Sequence, residues 1–287
     1  MTSKFVDEYV KALTPTAYDK TVVADRRKKM EQAVGVSVLD AGSWFESGSW
    51  SHGTALKGHS DVDYMAWASG NRPTYPSSAL ASLKSALTGS HWSISDLRIS
   101  SPTVKVKFHA APHFEVVPAW YKSSIGRYNV YLIPGPGNQW VESAPRAHMD
   151  FVIEQNNRLG GKVKQLARLL KQWKVYTGAP VSSFYLEMRV AEYAKNEESI
   201  FYHLDLMLLV DRLISYELRD MNDPTGMVNR INAVSSDDNR RTALKLLKEA
   251  SGNLRAAYAV NGQAGKEIEY WMCMSSVFGP SFPIPRW

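Results

Sequence analysis

The sequence predicts an α+β fold in two lobes: a mixed β-sheet with flanking helices, then a helical C-terminal lobe, with a central cleft between them. Three observations predict it. Segments with strand-like alternation recur between residues 36 and 120, amphipathic helical patterns follow Pro145, and a glycine- and proline-rich stretch at 121–140 separates the two regions. We therefore expect residues 1–145, including N-terminal helices, to form one lobe and residues 146–287 to form the other.

The composition is that of an ordinary globular chain. Its 287 residues are 44% hydrophobic and 22% charged, and the net charge of +6 suits an anionic ligand such as a nucleotide without requiring a nucleic-acid polymer. Cys273 is the only cysteine, which excludes an internal disulfide and a multi-cysteine zinc site and favours a reducing, cytoplasmic location. We expect no secretory signal and no membrane-spanning segment, because the most apolar run, residues 204–214, is short and charged.

Hydrophobic periodicity predicts the individual elements. In the first lobe we expect helices at 2–13, 18–33 and 79–87, and strands at 36–46, 61–67, 94–99, 104–108 and 114–120. In the strand at 104–108, three apolar residues alternate with Lys105 and Lys107, so the lysines take the opposite face. In the second lobe we expect helices at 147–158, 162–176, 204–218, 238–259 and 264–277, a helix start at Ser183, and a proline-rich tail extended along the surface.

The stretch from Gly48 to Trp67 carries the candidate chemistry. Gly48-Ser49 offers a tight turn with backbone N–H groups and a hydroxyl, which suits a triphosphate. Asp61 and Asp63 occupy alternate positions of a predicted strand, so both carboxylates project from one face and repel each other unless a cation lies between them. Hard divalent ions such as Mg²⁺ take such oxygen ligands together with substrate phosphates. The stretch therefore implies phosphoryl or nucleotidyl transfer.

Glu115 is the candidate third acid. A two-metal site needs a further carboxylate beside the aspartate pair, to hold the metal ion that activates the attacking hydroxyl. Glu115 begins the run Glu-Val-Val-Pro-Ala in a predicted strand. Residue type alone favours the alternative, a glutamate that faces solvent from a strand.

These motifs together resemble the signature of the DNA polymerase β-like nucleotidyltransferase superfamily: Gly48-Ser49, Gly53-Thr54 and Ser60-Asp61-Val62-Asp63. The pattern is most similar to the branch that holds 2′-5′ oligoadenylate synthetases, cyclic GMP–AMP synthase and the bacterial CD-NTases. The resemblance implies a polymerase β-like catalytic lobe in which Asp61, Asp63 and Glu115 are the catalytic acids. It also implies that they ligate two Mg²⁺ ions, with Mn²⁺ as an alternative. Glu115 departs from many relatives, which have aspartate there.

Substrate contacts are likewise implied by the resemblance. Gly48 and Ser49 would bind the triphosphate, joined from the second lobe by Lys171, in the segment Leu-Lys-Gln-Trp, and by Ser183 at the start of a helix. Phe184 would stack on a base. A solvated lysine on a helix face is the plain alternative for Lys171.

A further resemblance concerns the choice of base. Trp140, Pro145 and His148 resemble a stretch of clade E of the bacterial CD-NTases, in which some members use pyrimidine nucleotides. Asn156 lies where a residue reading a uracil edge is expected, since a carboxamide can both donate and accept. A solvated asparagine on a helix face is the plain alternative.

The function that the resemblance implies is synthesis of a cyclic di- or trinucleotide second messenger, with release of pyrophosphate, in bacterial anti-phage signalling (CBASS). Its substrates would be nucleoside triphosphates (ATP, UTP or GTP), and its partner an effector protein activated by the product. We expect a monomer that needs no nucleic acid and no membrane.

Three alternatives stay open: a nucleotidyltransferase acting on RNA or tRNA ends, a linear 2′-5′ oligoadenylate synthetase, and a catalytically dead nucleotide-binding module. Only the basic run from Arg26 to Lys29 favours contact with RNA, and a solvated helix face explains such a run more simply. The intact acidic trio argues against the dead module.

Overall fold

The computed structural model describes residues 2–35, 39 and 41–284 of the chain. Positions 36–38 and 40 of the first expected strand, and the last three residues of the tail, lie outside the described residues. The chain divides into two compact units. The sheet unit comprises Pro15–Asp150 and Thr225–Asn229, and the helical unit comprises the chain up to Thr14, Phe151–Pro224 and the chain from Arg230 onward.

The sheet unit contains seven strands and four helices over its described residues, and its sheet is mixed. The strands are β1 (Ala41–Ser47), β2 (Val62–Ala68), β3 (Ile94–Ser100), β4 (Thr103–Phe108), β5 (Phe114–Ile125), β6 (Tyr128–Pro134) and β7 (Trp140–Ser143). Their order is β1-β2-β5-β4-β3, with β6 on the far half of β5 and β7 beside β6. β2 and β5 run parallel, and every other pairing is antiparallel. The helices are α2 (Ala17–Gly35), α3 (Gly48–His52), α4 (Pro76–Leu87) and α5 (Pro145–Arg158), of which α5 runs on into the helical unit.

The two faces of the sheet differ in character. One face packs on α2 and α4 and forms the main core, to which alternate residues of β2, β4 and β5 contribute, among them Val62, Tyr64, Val104, Val106 and Val116. The apolar positions of the strand expected at 104–108 lie in this core, as the alternation predicts. The opposite face carries a smaller apolar cluster of Met65, Val117, Ala119 and Tyr131, together with the acidic and basic residues of the candidate site.

The helical unit contains, over its described residues, α1 (Thr2–Ala12), α6 (Lys162–Thr177), α7 (Ser183–Ala194), α8 (Tyr202–Ser215), α9 (Asp237–Val260), α10 (Glu267–Phe278) and most of α5. Ser182 caps α7, because its side chain accepts a hydrogen bond from the Tyr185 backbone N–H at 3.2 Å. No helix of the described residues is long and apolar enough to cross a bilayer. The mixed sheet with flanking helices and the separate helical unit confirm the predicted fold class.

The expectation that residues 121–140 form an irregular connection between lobes is wrong. The stretch completes β5, turns at Gly126 and forms β6 and the start of β7. Val130 and Tyr131 are buried, because β6 pairs with a strand on each side. Of the glycines and prolines that suggested a boundary, Gly126 and residues 135–137 lie in the connections between strands, while Pro134 is the last residue of β6.

The N-terminal helix α1 belongs to the helical unit, whereas the sequence grouped it with the first lobe. The Tyr9 ring packs against Phe282 and Phe278, with ring centroids 5.1 and 5.5 Å away, and the Tyr9 hydroxyl lies 2.8 Å from the Ser281 hydroxyl. The start of the expected surface tail is therefore partly core, with Phe282 only 1% exposed. The contacts also divide the chain after Asp150, five residues beyond the expected boundary.

The basic run on α2 is not a solvated face throughout. Arg26 is buried, donates to the Pro112 carbonyl at 2.5 Å and lies over the Phe108 ring, 4.1 Å from its centroid. Arg27 donates to the Trp44 carbonyl at 2.7 Å. These two cations hold α2 to the sheet, which leaves a smaller basic surface for RNA than the sequence suggested.

Candidate active site

Asp63 and Glu115 lie side by side on adjacent strands. They are register partners in the parallel pair of β2 and β5, where neighbouring strands are about 4.8 Å apart. The residues flanking each acid along its strand belong to the main core, so both carboxylates project from the opposite face. The parallel pairing thus joins two acids that lie 52 positions apart in the chain.

Asp61 immediately precedes β2 and reaches the same place. Burial raises the pKa of the Asp61 carboxyl, and the charge of Glu115 and a hydrogen-bonding interaction with it act in the same direction. Lys105, and to a smaller extent His113, oppose that rise in pKa. Asp61 and Glu115 thus lie close enough for their charges to interact.

Glu115 is held by two neighbours on β4. The Lys105 ammonium lies 2.5 Å from Glu115 Oε1, and the Thr103 hydroxyl donates to Oε2 at 3.0 Å. Over residues 2–35, 39 and 41–284, no group of three or more histidine, cysteine, aspartate or glutamate side chains already stands as a metal-binding cluster. The donor chemistry nevertheless suits divalent ions: Asp63 is the register partner of Glu115, Asp61 and Glu115 repel each other, and a cation from the protein already lies against Glu115.

Gly48 opens α3 directly against Asp63. It has a φ of +59°, in the left-handed region, and a Cβ at this position would lie 2.0 Å from Asp63 Oδ2. Glycine is therefore required both by the backbone and by the carboxylate. Ser49 follows, and its carbonyl accepts the Thr54 backbone N–H at 2.8 Å, which braces the turn through the buried Thr54.

Lys171 does not present its charge to solvent. Its ammonium lies 2.6 Å from Glu187 Oε1, and the two side chains are only 5% and 3% exposed. The expectation that this lysine meets a phosphate needs correction, because its charge is already neutralised by Glu187 in the interior of the helical unit.

Lys174, one turn further along α6, lies at the start of α7 beside Ser183. Its ammonium donates to the Ser183 hydroxyl at 2.7 Å, at the first residue of α7. Burial, and secondarily the charge of Lys171, lower the pKa of Lys174. Lys174 also lines an open cavity of about 440 Å³ with Ser182, Asn232 and neighbouring residues.

The two expected base contacts differ in outcome. Phe184 is the second residue of α7 and is half-buried, and its stacking role stays a prediction. Asn156 is 8% exposed, and its side-chain oxygen accepts the backbone N–H of Lys164 at 3.1 Å, near the start of α6. The structure therefore gives Asn156 a capping role in place of the expected contact with a pyrimidine edge.

Sequence reasoning missed Lys105, Thr103, His113 and Lys174. The alternation along β4 placed Lys105 on the correct face, but only the pairing of β4 with β5 brings it opposite Glu115. Lys174 carried the same signal as Lys171, a lysine off the apolar stripe of one helix. Which of the two is buried depends on the position of Glu187 on α7.

The architecture matches solved nucleotidyltransferases over almost its whole length. The structure of E. coli MS115-1 CdnC with ATP superposes with a TM-score of 0.77 at 19% identity and covers 98% of both chains. The Bradyrhizobium diazoefficiens CD-NTase CdnG with GTP gives 0.76 at 13% identity, covering 96% of this chain and 94% of that one. Vibrio cholerae DncV cyclic AMP-GMP synthase with a linear intermediate gives 0.75 at 13% identity, with 95% and 93% covered. The fold is thus that of the CD-NTase class of nucleotidyltransferases.

The family follows from the sequence comparison. The model of the Second Messenger Oligonucleotide or Dinucleotide Synthetase domain matches residues 1–156, more than half of the chain, and the chain belongs to this family. The prediction of a bacterial CD-NTase is thereby confirmed, whereas the assignment to clade E stays a prediction.

Two curated relatives add detail. A probable cyclic nucleotide synthase of Bacillus cereus (strain VD146) is 28% identical over 59% of this chain, a match that spans only 51% of that protein's length. A cyclic AMP-AMP-AMP synthase of Acinetobacter sp. (strain ATCC 27244 / 9458) is 26% identical over 83% of this chain and 72% of its own length.

Proposed function

We propose that this chain joins nucleoside triphosphates into a cyclic di- or trinucleotide and releases pyrophosphate at each step. The observation that carries the proposal is the pairing of Asp63 with Glu115 across β2 and β5, with Asp61 beside them. Family membership and the cyclic AMP-AMP-AMP synthase among its relatives support a cyclic product and make ATP the first substrate to test.

The chemistry is nucleotidyl transfer. A ribose hydroxyl of one nucleotide loses its proton to solvent and forms a bond to the α-phosphorus of another. The bond from that phosphorus to the oxygen bridging to the β-phosphate breaks, and pyrophosphate leaves with the electron pair. Asp61, Asp63 and Glu115 would hold two divalent ions, Mg²⁺ or Mn²⁺, which supply hydroxyl activation and charge neutralisation when bound. The carboxylates also orient the attacking hydroxyl relative to the α-phosphorus.

The phosphate contacts are assigned to different residues than the sequence suggested. In the sheet unit, Gly48 and the Ser49 hydroxyl would meet the triphosphate. In the helical unit, Lys174 and Ser183 would take this role in place of Lys171, because the Lys174 ammonium donates to the Ser183 hydroxyl, whereas the Lys171 ammonium is bound to Glu187. Phe184, beside Ser183, would stack on a base.

A role in anti-phage signalling, with a product-activated effector as partner, belongs to the same proposal, as do a monomeric state and a cytoplasmic location. Use of a pyrimidine nucleotide would need a readout residue other than Asn156, whose side-chain oxygen is bonded to the backbone of α6.

Incubation of the purified chain with each α-³²P-labelled nucleoside triphosphate, alone and in pairs, with Mg²⁺ or Mn²⁺ and without RNA, tests the proposal. We expect a phosphatase-resistant product whose ring size, bases and linkage follow from mass spectrometry and nuclease digestion. Asp63→Asn should abolish it, while Asp96→Asn, at an exposed position of β3, should leave it unchanged. Label incorporated only into added RNA would overturn cyclisation in favour of end addition, and linear products would favour an oligoadenylate synthetase.

A further inference from the structure

One row of side chains crosses four strands at the candidate site. Asp63 on β2 pairs with Glu115 on β5, Glu115 pairs with Lys105 on β4, and Lys105 pairs with Arg98 on β3. Directly paired residues share a face, so the row reads acid, acid, base, base from one strand to the next. The acidic end is thus joined to a basic end within the sheet itself.

Lys105 is bound to the acid that a metal ion would need. Its ammonium lies 2.5 Å from Glu115 Oε1, the Thr103 hydroxyl occupies Oε2, and the charge of Lys105 also reaches Asp61. Glu115 and Lys105 are partly exposed, with 21% and 30% of their side chains accessible, so the lysine can swing away from the carboxylate. A lysine side chain has the flexible four-carbon stem that such a movement needs.

An ammonium and a divalent ion repel each other on the same carboxylate. A metal ion lies about 2.0–2.6 Å from its oxygen ligands. With the ammonium also at hydrogen-bonding distance, the two cations would be about 4 Å apart. Even at the dielectric constant of water, that repulsion changes an affinity by tenfold or more.

We propose that Lys105 is a resident counter-cation of the acidic site, which a divalent ion must displace from Glu115. The inference rests on the proposed function, because it takes the trio to be the metal site. In the protein without nucleotide, Lys105 neutralises part of the trio's charge and weakens metal binding. A bound triphosphate offers the displaced ammonium a new anionic partner, so Lys105 makes metal binding depend on nucleotide.

The decisive measurement is Mn²⁺ binding to the full chain without nucleotide, followed by electron paramagnetic resonance of the free ion. Lys105→Met keeps the stem and removes the charge, and we expect it to bind Mn²⁺ about tenfold more tightly than the natural protein. Lys107→Met is the matched control: Lys107 shares the strand and the face but lies two residues, about 7 Å, further along β4. It should stay within twofold of the natural protein, as should Lys105→Arg, which keeps the charge.

Thermal unfolding of the variants provides a second measurement. In EDTA, Lys105→Met should unfold at a lower temperature than Lys107→Met, because the acidic site loses a counter-ion, and Mn²⁺ should abolish this difference in unfolding temperature. Equal Mn²⁺ affinity in Lys105→Met and Lys107→Met, or weaker binding in Lys105→Met, would overturn the role of Lys105 while leaving the metal site intact. Mn²⁺ binding that is unchanged in Asp63→Asn would instead remove the metal site and with it the proposed function.

Discussion

Gly48→Ala should damage the protein in two separable ways. Residue 48 has a φ of +59°, and an L-residue in the left-handed conformation costs about 1–2 kcal/mol. The new Cβ would also lie 2.0 Å from Asp63 Oδ2 and 2.7 Å from Asp63 Cγ. Reaching even a 3.0 Å contact requires a shift of about 1 Å, and a misplacement of that size in a reacting group lowers a rate by about 100-fold.

Gly126→Ala supplies the control for the backbone cost. Gly126 has nearly the same φ, +57°, but no atom lies within 4 Å of its Cβ position. We expect Gly126→Ala to lower the free energy of unfolding by about 1–2 kcal/mol and to leave kcat unchanged. Gly48→Ala should lose more stability than this and at least 100-fold in kcat.

The assay is urea unfolding followed by tryptophan fluorescence, together with the rate of pyrophosphate release at saturating ATP. If Gly48→Ala and Gly126→Ala lost the same stability and kept the same kcat, the close contact between residue 48 and Asp63 would not exist as described, and the reasoning would fail.

Three further predictions follow from the same geometry. Lys171→Met should lower the free energy of unfolding by about 3–5 kcal/mol, because it removes the cation that is ion-paired with the buried Glu187. Lys174→Met should instead mainly raise KM for nucleotide, and equal effects of the two variants on KM would contradict the reassignment of the lysine. Burial raises the pKa of Glu46, so the folded protein binds this proton more tightly than the unfolded chain does. The free energy of unfolding therefore falls as the pH rises from the ordinary pKa of Glu46 to its raised one. Melting curves recorded across that pH range should show this fall in the natural protein and not in the Glu46→Gln variant. Asn156→Ala should cost about 1 kcal/mol of stability through the lost cap without changing which nucleotides are used, and a changed base preference in product analysis would restore its reading role.

The local patterns were sufficient wherever one segment decides its own structure. The alternation at 104–108 put the lysines of β4 opposite its apolar residues, and the paired glycines at 160–161 separated α5 from α6 as expected. The local patterns gave wrong predictions where the structure of a segment depends on the strands that pair with it. The glycine and proline content of residues 121–140 indicated an irregular connection. Pairing with β5 on one side and β7 on the other nevertheless makes β6 part of the sheet.

The amino-acid sequence by itself determined the class of this protein, because the turn at Gly48 and the acids at 61 and 63 form a contiguous motif whose chemistry needs no distant partner to be recognised. Only the tertiary structure decided which lysines lie at the candidate site. Lys171 and Lys174 are alike on one helix, and Glu187 on another helix neutralises the first and leaves the second beside Ser183. Lys105 likewise gains its place at Glu115 from the pairing of β4 with β5. The physical reason is that the role of a charged side chain depends on the charges and polar groups within a few ångströms of it, and the residues that supply these groups are distant in the chain.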